Sequence, residues 1–167
     1  HLLPRDIYPH IPNLRKVHDW LYRGGQISSQ SIDTLKGLNI KTVICLRSTK
    51  KEIEAEKQIV ESAGLKFISF PMTYLCWPDQ NLIDEFFQII EIENKADRPI
   101  YLHCKHGCDR TGMLIAFWRI ARDQWTFSSA YEEMVVCGYH RFKMRHFKWA
   151  VKRFSKSLLK PSKPSKS

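Results

Sequence analysis

The chain has 167 residues, 43% of them hydrophobic, which is enough for one domain with a sizeable core. No apolar run approaches the ~20 residues of a membrane-spanning helix, and an odd number of cysteines, five, argues against a scaffold built on disulfides alone. The net charge of +10 is segregated: residues 1–133 balance 17 Lys/Arg against 17 Asp/Glu, whereas residues 134–167 carry ten Lys/Arg and no acid. Such a basic end is either a solvated face or an attractor for polyphosphate, nucleic acid or acidic lipid.

Residues 1–13 are rich in proline and read as irregular. Trp20–Arg23 is a short strand. Ser28–Leu38 is a helix with Ile32, Leu35 and Leu38 on one face, and Lys41–Leu46 is a β-branched strand. Glu52–Ala63 is a helix that Gly64 ends, and Lys66–Phe70 is a strand closed by Pro71. Gln80–Glu93 is a helix with Leu82, Ile83, Phe86, Phe87 and Ile90 inward. Ile100–His103 is a buried strand, and Arg110–Arg122, Ser128–Cys137 and Lys143–Leu159 are three further helices. The alternation predicts an α/β fold: a mainly parallel central sheet of four to five strands flanked by helices. The domain is expected over 14–159, with 160–167 a basic Pro/Ser/Lys tail of disordered composition.

In such sheets ligands bind beyond the carboxyl ends of the strands. That rule gathers three segments at one edge: Arg47 to Lys51, Met72 to Asp79, and the run His103-Cys104-Lys105-His106-Gly107-Cys108-Asp109-Arg110-Thr111-Gly112. In the last, a strand enters a tight loop that opens into a helix. Free backbone N–H groups and the helix dipole then converge on one point and hold an anion. Gly107 permits the curl, and Arg110, six residues after Cys104, brings a planar fork that matches two phosphate oxygens. A helix N-terminus beside cations also favours the thiolate of a cysteine over its thiol. Cys104 is therefore the candidate nucleophile, with Thr111 placed to donate a hydrogen bond to its sulfur.

The motif His-Cys-x5-Arg-Thr-Gly resembles the signature P-loop of the cysteine-dependent phosphatases of the protein tyrosine phosphatase and dual-specificity class. Trp77-Pro78-Asp79 resembles the general-acid loop of that class, and Leu21-Tyr22-Arg23-Gly24-Gly25-Gln26-Ile27-Ser28 is similar to the opening strand of its small members. The resemblance runs over about residues 14–150. It implies a small dual-specificity-phosphatase-like fold, a phosphocysteine intermediate at Cys104 and hydrolysis of phosphomonoesters without metal or other cofactor. Small relatives of this kind act on phosphotyrosine, phosphoserine/threonine, phosphoinositides or soluble inositol polyphosphates, the last group including the tyrosine-phosphatase-like phytases.

Asp79 is the candidate general acid, or else the N-cap of the helix that starts at Gln80, a job Asn81 could also do. Asp109 is the rival acid, although a carboxylate inside the loop repels an anion unless its side chain points away; Asp84 is third. His103 is expected to hydrogen-bond backbone beneath the loop and tune the nucleophile. Lys105, His106, Gly107, Cys108 and Asp109 form the rest of the phosphate loop, with Lys105 the better placed of the two basic side chains to touch substrate. Arg47, Lys50 and Lys51 are a binding rim or a plain solvated loop. Cys45 and Cys137 read as packing residues. Cys76 and Cys108 are small neutral neighbours of the site, or partners for a protective disulfide with Cys104.

Several phosphates on one substrate suit the basic loop and rim, so the expected activity is phytase-like, on inositol polyphosphates. A protein tyrosine or dual-specificity phosphatase is the alternative, with Tyr74, Trp77 or Tyr139 as an aromatic wall. An RNA 5′-triphosphatase suits the loop and the basic end but not Trp77-Pro78-Asp79, and a catalytically silent phosphate-binding module does not need Cys104, Arg110 and Asp79 together. A monomer acting on a phosphorylated small molecule or phosphoprotein is expected. Cytoplasm is the favoured compartment; export after removal of a signal is the other, since the first residue is His1 rather than Met.

Overall fold

The computed structural model describes residues 8–159. The expected tail 160–167, and residues 1–7 of the expected irregular segment, lie outside the described residues; residues 8–13 form turns without regular structure.

Five short strands form one sheet in the order β1-β2-β5-β3-β4. These are β1 (Arg15–His18), β2 (Leu21–Gly24), β3 (Thr42–Cys45), β4 (Lys66–Ser69) and β5 (Ile100–His103). The last four strands in that order are parallel, and β1 alone runs antiparallel, in a hairpin with β2. β1 is absent from the sequence reading because Arg-Lys-Val-His is short, charged and only half-buried, which is how an edge strand reads. β5 is the centre, and all four of its residues are buried.

Successive side chains of β5 point to opposite faces and divide the core in two. Ile100 and Leu102 join the larger cluster with Leu21, Ile44, Phe86 and Phe117; Tyr101 joins the smaller one with Leu35, Val43 and Val60. The smaller layer is covered by α1 (Ile32–Gly37), which a 3-10 turn over Ser29–Ser31 precedes, and by α2 (Lys50–Ser62). The larger layer is covered by α3 (Gln80–Lys95), α4 (Arg110–Ala121), α5 (Phe127–Val136) and α6 (Arg145–Leu158). α4 is apolar around its circumference, with eleven of its residues buried, so it is the central helix of that layer rather than a surface one. Two boundaries matter for the site. α2 starts at Lys50, capped by Thr49, and not at Glu52; α6 starts at Arg145, which leaves Lys143 in the turn before it. No described helix is long and apolar enough to cross a membrane.

Candidate active site

Cys104 follows β5 directly and is buried at the carboxyl edge of the sheet. The chain then turns through residues 105–109 and enters α4 at Arg110, so the first-turn N–H groups of α4 close the loop. The turn depends on Gly107. Its φ is +73°, and a Cβ there would lie 2.4–2.8 Å from backbone atoms of Gly24 and Gly25. The end of β2 is thus packed flat against the loop. Gln26 N donates to Lys105 O (3.0 Å), Tyr101 Oη to Gly25 O (2.5 Å), and the buried Arg23 donates through Nη2 to Gly107 O (3.0 Å). Asn13 reaches the same loop, with Nδ2 donating to His106 O and Gly107 O and, at 2.9 Å, to Cys137 O.

Arg110 is buried at the first position of α4. Its Nη1 donates to Met72 O (2.8 Å), its Nη2 to Tyr74 Oη (3.0 Å), and the guanidinium lies 4.0 Å from the Tyr74 ring centroid. Its Nε has no partner among the described residues, nor does the buried hydroxyl of Thr111. Two orphaned donors in the first turn of α4, beside Cys104, leave hydrogen-bonding capacity for an anion in the loop and for the cysteine sulfur.

His103 lies fully buried beneath the loop. Its Nδ1 is 3.2 Å from Cys104 O, its Nε2 is 2.7 Å from Glu56 Oε2, and its ring stacks on Tyr101. Glu56 comes from α2, where it occupies the inward face with Ile53 and Val60. That spacing was the available signal; a Glu among the many charges of α2 reads as surface. Burial and the neighbouring Glu56 push the Cys45 thiol up to about 12. Cys45, Glu56 and His103 place a thiol, a carboxylate and an imidazole within 4.8 Å of one another, a grouping absent from the sequence reading. Within this group His103 Nε2 and Glu56 Oε2 are bonded to each other.

Asp109 directs its carboxylate at the turn between α5 and α6. Oδ1 accepts from His140 N and Oδ2 faces His140 Nδ1, each at 2.8 Å. Cys108 is half-buried under the same turn, where a Cβ on Gly138 would come within 2.8 Å of its sulfur. Burial first, then the Asp109 charge, pushes its thiol up to about 11. All five cysteines are free thiols. Lys105 and His106 are exposed on the loop.

Asp79 caps α3, its Oδ1 accepting from Leu82 N at 2.8 Å. It shares a groove of about 320 Å³ with Trp77, Ile83, Arg153 and Phe154, between its own loop and α6. Asp84 is exposed one turn on and bonded to Gln80. The rim residues divide: Arg47 is paired with Glu52 at 2.6 Å, whereas Lys50 and Lys51 are exposed in the first turn of α2. Tyr139 cannot wall a pocket, because it is buried against Tyr131 with its hydroxyl bonded to Met144 O.

The family described as "DSP-PTPase phosphatase fused to NAD+ Kinase" matches residues 10–149, which include the whole loop, the Asp79 segment and the sheet. The chain belongs to this family of cysteine-dependent phosphatases. Within it, the chain is 28% identical over 127 residues to the dual specificity protein phosphatase TpbA of Pseudomonas aeruginosa, covering 76% of this chain and 55% of the relative. It is 29% identical over 127 residues to the inositol diphosphatase DSP3 of Arabidopsis thaliana, covering 72% and 60%. The chain thus spans little more than half the length of these curated relatives. A crystal structure of P. aeruginosa TpbA in complex with pTyr superposes with a TM-score of 0.73 at 23% identity, covering 96% of both chains, which establishes the shared phosphatase fold.

Proposed function

We propose that the domain hydrolyses phosphate esters of inositol polyphosphates through a phosphocysteine at Cys104. The observation that carries this reading is the buried cysteine at the end of β5, facing a helix N-terminus where Arg110 Nε and the Thr111 hydroxyl lack partners. A phosphate in the loop accepts from Arg110 and from the loop amides, and the Thr111 hydroxyl is left for the sulfur. The Cys104 sulfur attacks phosphorus, the bond to the ester oxygen breaks, and Asp79 protonates the departing alcohol. Asp79 then takes a proton from water, which attacks the phosphocysteine and releases phosphate and the thiolate. Thr111 stabilises that leaving sulfur. His103, fixed by Glu56, positions the Cys104 backbone from below.

For substrate class, the exposed Lys105 adds positive charge beyond the scissile phosphate, His106 stands exposed beside it, and the relatives from Arabidopsis are named inositol diphosphatases. The second reading, a protein phosphatase, is supported by TpbA and its pTyr complex. It needs an aromatic wall: Tyr139 is in the core, whereas Tyr74, stacked on Arg110, and the exposed Trp77 are available for one. Phosphate release from inositol hexakisphosphate, a phosphotyrosine peptide and 5′-triphosphate RNA, in chelator, separates the readings. The inositol substrate is expected to give the highest kcat/KM; a higher value for the peptide would replace this proposal with the second.

A further inference from the structure

The turn between α5 and α6 closes one side of the mouth and forms, with the phosphate loop, a hollow of about 480 Å³. His106, Cys108 and Asp109 contribute from the loop, Tyr74 from the opposite wall, and His140 and Lys143 from the turn. Tyr74 is the same ring that stacks on Arg110, so the hollow and the phosphate loop share a wall.

Its lining holds one lysine, Lys143, one acid, Asp109, and two histidines. Asp109 has both its oxygens engaged by His140, through the backbone N–H and Nδ1, so that Nε2 of that histidine is not used by Asp109. Lys143 is exposed and makes no ion pair among the described residues. The surroundings reinforce its charge, because residues 134–159 carry seven Lys/Arg and no acid. The bonds to His140 also give a role to an acid inside an anion-binding loop: Asp109 turns its carboxylate toward the α5–α6 turn and holds a histidine at the rim.

We infer that this hollow is a second phosphate subsite, in which Lys143, with His140 and His106, holds the phosphate next to the scissile one on the same polyol ring. The inference rests on the inositol polyphosphate reading and deepens it. A lone small aryl phosphate reaches only the loop, whereas a ring with vicinal phosphates spans loop and hollow across the Tyr74 wall. The subsite lies on the α6 side of the mouth, not at Lys50 and Lys51, which share a separate hollow with Glu54, Ala55 and Gln58 on α2.

The test measures KM for inositol hexakisphosphate and for p-nitrophenyl phosphate with wild type, Lys143→Ala, Lys143→Glu and the double variant Lys50→Ala/Lys51→Ala. The ratio of the two KM values should rise roughly 1.5-fold to fivefold in Lys143→Ala, the range of one exposed charge pair. It should rise further in Lys143→Glu and fall back toward wild type at high salt. An unchanged ratio in both Lys143 variants, or a larger change in the Lys50/Lys51 double variant, overturns the subsite while leaving the proposed activity intact. If wild type hydrolyses the aryl ester and shows no turnover of inositol hexakisphosphate, the substrate reading itself fails and the subsite with it; that outcome is read from wild type alone. Lys143 lies in an exposed turn, so folding of the variants is not at stake.

Discussion

Asp79 carries two jobs that single substitutions can separate. As the N-cap of α3 it needs only a side-chain oxygen, which Asn supplies as well as Asp; as a general acid it needs a proton to give. Asp79→Asn should therefore keep the thermal stability of wild type and lower kcat by roughly 10²–10⁴ for an alkyl phosphate, less for an aryl ester with a good leaving group. Asp79→Ala should lose the same activity and about 1 kcal/mol of stability. Equal losses for alkyl and aryl esters would reduce Asp79 to a cap. The thiols differ as sharply. Cys45 and Cys108 are held protonated far above neutrality, so carboxymethylation by iodoacetate at pH 7 should leave both unmodified while activity is lost with labelling of Cys104. Peptide mapping checks this, and prior labelling of Cys108 would contradict it.

At the scale of elements, the phosphate loop is a packed joint between three pieces of chain: the end of β2, the loop itself and the first turn of α4. Gly107→Ala tests the joint. The added Cβ meets backbone atoms of Gly24 within 2.6 Å at a φ of +73°, and neither side has a flexible group to yield. Backbone strain of about 1–3 kcal/mol should lower Tm, and displacement of the loop should cut kcat/KM on the order of 100-fold. This joint was half legible in the sequence. The Cys104-to-Arg110 spacing, the helix after it and the parallel sheet follow from periodicity and from the demands of an anion site. The supports did not: Glu56 lies in a helix crowded with charge, Arg23 reads as one basic residue of a strand, and Asn13 and His140 reach the loop only after the chain has folded over 93 and 31 residues of sequence. Long-range contacts of polar side chains carry no periodic signal, and the start of α2 two residues before Glu52 moves Lys50 and Lys51 from a loop onto a helix.

Across the whole molecule, the two edges of the sheet divide the work. The carboxyl edge holds Cys104 and its loop. At the opposite edge the buried Glu93 accepts from Thr42 at the start of β3, from Lys66 at the start of β4 and from Arg98 just before β5. Burial alone would push the Glu93 carboxyl up; hydrogen bonds from Arg98, Lys66 and Thr42 outweigh it and hold the group below its ordinary value. A carboxyl depressed in the folded state stabilises above its unfolded pKa, about 4.3, and that contribution is lost as pH falls through the folded value. Glu93→Gln should thus lower stability at pH 7 by about 1–3 kcal/mol, the gap to wild type should narrow as pH drops below that of ordinary carboxylates, and kcat should stay as it was. Thermal melts across the acid range check the sign; a gap that widens in acid would contradict it.

The account stands on covalent chemistry at one sulfur, and that is open to direct measurement. Wild type mixed with inositol hexakisphosphate in chelator and quenched by rapid denaturation during turnover should carry a phosphoryl group on the peptide that contains Cys104. The same experiment with Cys104→Ser should yield none, although that variant still binds the substrate through Arg110 and the loop amides. A phosphoryl group on another residue, or phosphate release by Cys104→Ser at a rate near wild type, would contradict the mechanism.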